Sequence, residues 1–446
     1  RINSRAIKMK QSYYFIGIEG IGMSALARYL LNRGYEVGGY DRDQTDLCQA
    51  LTGEGAQISY DLTDFTFIDT FSNNLLVIYT AAVTSEHPQL KYALSKGVRT
   101  LKRAQFLGEI VQSGKVLAVA GTHGKTTTAT FLTHFLKQSN VSFTAFLGGI
   151  SNDLNSNYYS SGSEYFVVEA DEFDRSFLAL HPHASIITSI EPDHLDIYKD
   201  YQAIVDSFTQ FVNQTSGALM VHESVKLKGS ISYGFSPEND GYITDIEFTK
   251  SGTNFKIHTK ENPAVSVTVP FYGNHNLLNT LAAYMIAKEI VSVEKLVPIF
   301  NTLPLAKRRA SKLVENDQVV FYDDYAHHPS EIQAMHQLLR SRYPNRSITA
   351  IFQPHLYSRT RDFAKEFIEV LGLFDNVWIL PIYPAREAPI QGVSSKLLLN
   401  GDSRLESISK EEVLSRISMK APEVLVTLGA GDIANLSRSI QKLLEQ

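Results

Sequence analysis

The 446-residue chain contains one cysteine, Cys48, and one tryptophan. A lone cysteine excludes an internal disulfide and suits a reducing cytoplasm, which is the expected location. No apolar run approaches the roughly 18 residues of a membrane span, and no cleavable leader is visible, so neither a membrane partner nor secretion is expected. Neither sign of charge dominates, since 42 Lys and Arg against 47 Asp and Glu leave a formal net charge of -5. No basic face stands out, which argues against a nucleic-acid partner. Any strongly anionic ligand must then be met by local groups. Internal repeats, coiled coils and low-complexity tracts are also missing.

The chain is too long for one core, and ordinary domain size suggests about three domains. The residues before Met9 are set aside. From 9 to 112 short apolar runs alternate with helical patterns, as in a strand over 13–16, a helix over 23–33 and a strand over 36–40. This is βαβ grammar and implies a parallel sheet. The segment 113–306 starts again with an apolar strand over 115–120, then changes near 231–270 to polar/apolar alternation such as Phe255-Lys256-Ile257-His258. That alternation predicts a smaller antiparallel sheet beside the parallel one. A third alternation over 307–446 places strands at 319–322, 348–352, 377–380 and 424–428. The expected fold is α/β in three domains: Rossmann-like at the N-terminus, a central domain with both kinds of sheet, and Rossmann-like at the C-terminus.

The strand over 115–120 runs straight into Gly121-Thr122-His123-Gly124-Lys125-Thr126-Thr127, and a helical pattern follows. Glycines let backbone N–H groups curl round phosphate oxygens, and the helix N-terminus adds its positive end. Lys125 can then reach the β/γ-phosphates while the Thr126 hydroxyl serves Mg²⁺. The usual pattern has a further glycine where this chain has Val119, so the loop is a shorter variant of a P-loop, which grips phosphate without naming the reaction. Two more apolar strands deliver Glu169-Ala170-Asp171-Glu172 and Glu191-Pro192-Asp193-His194. Ligands collect outside the carboxyl ends of such strands, so all three ends should face one crevice. Glu169 is the carboxylate best placed for Mg²⁺, with His194 serving a second ion or orienting the first shell.

The first domain carries Gly17-Ile18-Glu19-Gly20-Ile21-Gly22-Met23-Ser24 between a strand and a helix. Its spacing, GxxGxG, reverses the dinucleotide fingerprint GxGxxG and argues against a nicotinamide cofactor. A diphosphate at the helix N-terminus remains favoured, with Asp41 at the end of the next strand toward a ribose or base. In the third domain Lys307-Arg308-Arg309, the stretch DDYAHHPSE over 323–331 and QPHLYSRTRD over 353–362 gather cations and histidines at strand ends. Such a set suits a transferring phosphoryl group and a carboxylate substrate. On these residues alone an acceptor-independent P-loop ATPase or switch stays open.

Taken together, GIEGIGMS over 17–24, AGTHGKTTT over 120–128, EADE over 169–172, Asp193-His194, GNHNLLN over 273–279, DDYAHHPSE and QPHLYSRTRD resemble the Mur ligase family, in collinear order across nearly the whole chain. The resemblance implies ATP-dependent ligation of L-alanine to the carboxylate of UDP-N-acetylmuramate in peptidoglycan precursor synthesis, through an acyl phosphate. A sister activity attaches recycled tripeptide to the same sugar nucleotide. It implies a first domain holding UDP, a central ATPase domain, and a third domain that closes over ATP and brings the amino acid. It also implies two Mg²⁺ ions, with Mn²⁺ able to substitute, and a monomer or homodimer.

Carried over by position, Gly121, Thr122, His123, Gly124, Lys125, Thr126 and Thr127 hold the phosphates, and Asn276 and Asn279 face the adenine. Thr126 and Glu169 ligate one Mg²⁺ and His194 serves the second. Arg309 approaches the γ-phosphate and Asp324 the ATP ribose. Gly17, Gly20, Gly22, Met23, Ser24, Asp41 and Arg103 belong to the sugar-nucleotide site, and His327 with Arg359 receives the alanine. Lys125, His194, Arg309 and His327 form the expected catalytic set. Two positions depart from the pattern: Leu356 stands where a basic residue is expected, and Glu19, in the glycine loop, must point outward if a diphosphate is to bind.

Overall fold

The computed structural model describes residues 11–192, 198, 200–227, 229–249, 251–385 and 387–445. It contains three sheets. The first comprises β1 (Ser12–Ile16), β2 (Glu36–Tyr40), β3 (Gln57–Ser59), β4 (Leu75–Tyr79) and β5 (Arg99–Lys102) in the order β3-β2-β1-β4-β5. Every pairing among its described residues is parallel. Tyr14, Ile16 and Val77 are buried on one face, and Phe15, Leu76 and Ile78 on the other. Burial on both faces explains why these strands read as continuous apolar runs. The order reverses beside β1, so the glycine loop that follows β1 opens at the switch point.

The second sheet holds β6 (Lys115–Ala120), β7 (Phe143–Ser151), β8 (Ser156–Ser160), β9 (Tyr165–Glu169), β10 (Ala184–Ile187), β11 (Leu219–His222), β12 (Ile231–Gly234), β13 (Gly241–Phe248), β14 (Thr253–Thr259) and β15 (Asn262–Val269). Its order is β15-β14-β13-β12-β11-β10-β6-β9-β7-β8. The expected smaller sheet is therefore not detached. It continues the parallel sheet, because β12 pairs in parallel with both β11 and β13. β6 lies between β9 and β10, with Val119 opposite Glu169 and Ala120 opposite Ile187, so the three polar strand ends lie side by side.

The third sheet is made of β16 (Ser311–Glu315), β17 (Val320–Asp324), β18 (Ile348–Phe352), β19 (Asn376–Ile379), β20 (Leu405–Ser407) and β21 (Val424–Leu428), ordered β16-β17-β21-β18-β19-β20. Only β16 pairs antiparallel among the described pairs of this sheet.

Two compact units result. One runs up to Thr244 and adds Lys256–Val267 and Asn279–Pro304; the other takes Asp245–Phe255, Thr268–Leu278 and the chain from Leu305 onward. The expected boundary at 112/113 falls inside the first unit, because one hydrophobic cluster runs from Phe15 and Leu26 through Phe106 and Val111 to Val116, Phe166 and Phe177. Among the described residues no helix is long and apolar enough to cross a membrane.

Candidate active site

The phosphate loop is shaped by what its glycines cannot carry. Gly121 has φ +127° and its missing Cβ would collide with Thr188 Oγ1, while Gly124 has φ +82° and a Cβ there would stand 2.6 Å from Asn279 Oδ1. Left-handed backbone without a side chain is open to glycine at little steric cost. The end of β10 cradles the same loop. Thr122 N donates to Ser189 O at 3.0 Å, His123 N to Ser189 Oγ at 3.0 Å, and Glu191 N to Thr122 Oγ1 at 2.9 Å. His123 Nε2 also lies 3.4 Å from Glu191 Oε2.

Lys125 opens the helix Lys125–Gln138, and its Nζ donates to Gly121 O at 2.6 Å and to the two Glu172 oxygens at 3.1 and 2.8 Å. Burial works against its charge, but Glu172, Asp171 and Glu169 outweigh burial and hold its pKa above the ordinary lysine value. The cation is therefore fixed at the loop. Thr126 Oγ1 donates to Glu169 Oε1 at 3.0 Å, and Gly148 N donates to Glu169 Oε2 at 2.8 Å. A hydroxyl and a carboxylate side by side are the hard oxygen donors that Mg²⁺ takes, so the residues fit the ion. Thr127 is buried in the same helix. Asp193 and His194 lie outside the described residues.

At the first loop Gly17 has φ +84°, and a Cβ on Gly22 would stand 2.7 Å from Arg103 Nη1. Arg103, first residue of the helix Arg103–Val111, therefore lies against the glycine turn, and its Nη2 is 3.9 Å from Asp171 Oδ2. Gly20 is the exposed N-cap of the helix Ile21–Leu31. Asp41 Oδ2 accepts from Glu19 N at 2.8 Å, so this carboxylate braces the loop backbone. Glu19 is half-buried and turned toward Asp41 and Thr45, and burial followed by the Asp41 charge raises its pKa. Met23 and Ser24 are buried at 1% and 0% exposure. The Ser24 hydroxyl donates to Ile21 O at 3.0 Å and accepts from Asn157 Nδ2 at 2.9 Å, so it faces protein rather than a ligand.

In the second unit, β17 delivers Asp324, whose carboxylate accepts from Ala310 N at 2.5 Å and Ala326 N at 2.7 Å. Burial raises its pKa to about 6 against the pull of Arg309. Arg309 stacks 5.2 Å from the Tyr325 ring, and its Nη1 lies 3.8 Å from Glu331 Oε1. His327 Nδ1 is 3.0 Å from Tyr325 O. A carbonyl only accepts, so Nδ1 carries a proton, and Glu331 Oε2 lies 3.3 Å from the same nitrogen. The rings of His327 and His355 stand 5.8 Å apart, and Arg359 Nη1 is 3.4 Å from His355 Nδ1, which brings His327 and Arg359 to one place. Leu356 is buried at φ +71° with its N–H donating to Tyr383 O at 2.9 Å, so its side chain packs inward. Asn276 Nδ2 donates to Tyr272 O at 2.9 Å in this unit, whereas Asn279, one turn along the helix Asn274–Ala287, belongs to the first unit beside Gly124.

The sequence did not mark five residues of the site. Glu172 was part of a recognised stretch, but nothing local marks it as the partner of Lys125. Gly148 was detectable in principle, since a glycine inside a strand flags a close approach. Thr188 and Ser189 are small polar residues with no signature, and His355 gave no sign that it sits between His327 and Arg359.

The chain matches the descriptions "Mur ligase family, catalytic domain" over residues 12–115, "Mur ligase middle domain" over 119–287 and "Mur ligase, glutamate ligase domain" over 308–431. It is 43% identical over 441 residues to the UDP-N-acetylmuramate–L-alanine ligase of Christiangramia forsetii, covering 97% of each chain. It is 42% identical to the enzyme of the same name from Phocaeicola vulgatus, covering 98% of each. The crystal structure of UDP-N-acetylmuramate-alanine ligase from Thermotoga maritima superposes with a TM-score of 0.83 at 25% identity, covering 97% of this chain and 99% of that one. At such identity over the full length, this chain belongs to the Mur ligase family.

Proposed function

We propose that this protein ligates L-alanine to the carboxylate of UDP-N-acetylmuramate, converting ATP to ADP and phosphate. The observation that carries the reading is the phosphate loop in which Lys125, Thr126 and Glu169 converge beside Arg103 and the glycine turn of the first domain. One carboxylate oxygen attacks the γ-phosphorus, the bond to the β-phosphate oxygen breaks, and ADP leaves. The resulting acyl phosphate has a good leaving group where the free carboxylate had none. The amine of alanine then attacks the acyl carbon, and phosphate departs carrying that oxygen.

Crowding a carboxylate against a triphosphate is opposed by like charge. Lys125 and Arg309 offset it, and such preorganised cations are worth several kcal/mol in a water-poor site. Mg²⁺ bound by Thr126 and Glu169 would add charge neutralisation at the phosphates. Before it can grip phosphate, Lys125 must exchange Glu172 for the anion. Arg359 pairs with the alanine carboxylate, a geometry suited to its planar fork. Nε2 of His327 positions the amine from which a proton must leave.

The test is phosphate release from ATP and Mg²⁺ with UDP-N-acetylmuramate, comparing L-alanine, no amino acid and the recycled tripeptide. Release that needs both the sugar nucleotide and alanine is expected. Faster release with tripeptide supports the sister activity, and equal release without either acceptor contradicts both.

A further inference from the structure

Asn157 lies in β8 of the central sheet and is fully buried, yet among the described residues its amide binds residues of the first domain. Nδ2 donates to Ile21 O at 2.5 Å and to Ser24 Oγ at 2.9 Å, and Oδ1 accepts from Arg28 Nη1 at 2.6 Å. Arg28, 7% exposed, continues the chain of contacts: its Nε lies 2.9 Å from both Glu54 oxygens and its Nη2 is 2.8 Å from Oε1. Every partner in this set is oriented, because a buried amide has no water to turn to if one bond is lost. Beside it, the Tyr29 ring packs 5.6 Å from Phe146 and 6.4 Å from Tyr158. The helix Ile21–Leu31 is thereby held in both rotation and translation against the β7–β8 hairpin.

What the clamp joins gives it meaning. Ile21 and Ser24 form the first turn of the helix that the glycine loop opens, directly behind the proposed diphosphate site. The hairpin on the other side carries Gly148, whose N–H holds Glu169, the carboxylate that accepts from Thr126. One hairpin therefore touches the backbone of the sugar-nucleotide loop and the carboxylate beside the ATP phosphates. We infer that Asn157 is a positioning residue that sets the spacing of these two loops, so that the muramate carboxylate meets the γ-phosphorus in line. This rests on the ligase reading above. In-line displacement tolerates little error, and a misplacement of about 1 Å can cost on the order of 100-fold in rate.

A purely structural role predicts a different pattern, and Asn157→Asp separates the two. The variant keeps the size and the acceptor for Arg28 but can no longer donate to Ile21 O. The experiment uses the full-length protein, with wild type, Asn157→Asp and Ser24→Ala measured for thermal stability, ATP-analogue binding, steady-state ligation and phosphate released per product formed. Wild-type ligation of alanine comes first, and its failure overturns the ligase reading and this inference with it. With wild type active, Asn157→Asp is expected to bind the ATP analogue within twofold of wild type while kcat falls about tenfold and KM for UDP-N-acetylmuramate rises about fivefold. Phosphate released per product should rise above one as misaligned acyl phosphate hydrolyses. If Asn157→Asp does not fold, Ser24→Ala carries the test, with an expected loss of about threefold in kcat/KM at unchanged ATP-analogue binding. The inference is overturned if the folded variants keep kcat and KM within twofold of wild type, or if ATP-analogue binding and thermal stability fall in step with activity.

Discussion

The loop after β6 and the loop after β1 share one plan, a buried strand turning through glycines into a helix, but they acquire their cations in opposite ways. The loop after β6 carries its own, since Lys125 follows Gly124 directly and is locked to Glu172. The loop after β1 contains no Lys or Arg between Gly17 and Ser24, and the guanidinium against Gly22 comes from Arg103, four strands further along the chain. A loop with its own cation has the charge in place wherever the fold presents it. A loop that borrows one exists only after the sheet has formed, and its ligand affinity is tied to packing elsewhere.

The largest effect should come from removing the built-in cation. Lys125→Met is expected to lower kcat about 10³-fold, as loss of a preorganised charge at transferring phosphate does. It also strands Glu172, which is 4% exposed, and should cost about 3 kcal/mol in denaturant unfolding. Activity within tenfold of wild type would break the contrast between the loops.

Gly148→Ala comes next. The added Cβ runs into the Glu169 carboxylate, a flexible side-chain end, so the fold should survive while the carboxylate moves. A rise of about 10-fold to 100-fold in the Mg²⁺ concentration needed for half-maximal rate is expected from titration. Arg103→Ala tests the borrowed cation. KM for UDP-N-acetylmuramate should rise about tenfold with ATP-analogue binding unchanged, whereas an equal loss of both would mean that the loops do not act separately.

The smallest effect concerns a buried carboxylate held without a lysine. Asp324 is held by two backbone N–H groups, and its folded pKa of about 6 stands above the ordinary aspartate value of 3.8. The folded chain therefore binds this proton more tightly than the unfolded chain. The resulting stability is fully present below the unfolded value and is lost as pH rises through about 6. Relative to Asp324→Asn, the wild type should lose about 1 kcal/mol in urea unfolding between pH 5 and pH 7. A gap independent of pH would contradict the assignment.

The contrast between the loops also explains what could be read in advance. The strand-turn-helix around Lys125 was legible because its ligands are contiguous, and β17, β18, β19 and β21 were legible because they are apolar runs, whereas the edge strands β16 and β20 were not expected. Glu172, Gly148 and Asn157 were not legible in their roles, since each acts on a residue 20 or more positions away and only the β6-β9-β7 pairing brings the first two to the phosphates. Continuity of the second sheet was hidden for a related reason. Alternation predicts solvent on one face of β13 to β15, but does not reveal that β12 bridges them to the parallel strands. The contact of Ser24 was hidden in the same way, as a hydroxyl inside a glycine motif that accepts from Asn157.

The central claim is that phosphate is transferred to the sugar-nucleotide carboxylate before the amide bond forms. UDP-N-acetylmuramate labelled with ¹⁸O in both carboxylate oxygens, incubated with ATP, Mg²⁺, L-alanine and the protein, tests it directly by mass spectrometry of the phosphate released. The account predicts one ¹⁸O in each phosphate and one retained in the amide product. Phosphate without ¹⁸O, formed at the same rate with or without the sugar nucleotide, would contradict it and leave water as the acceptor.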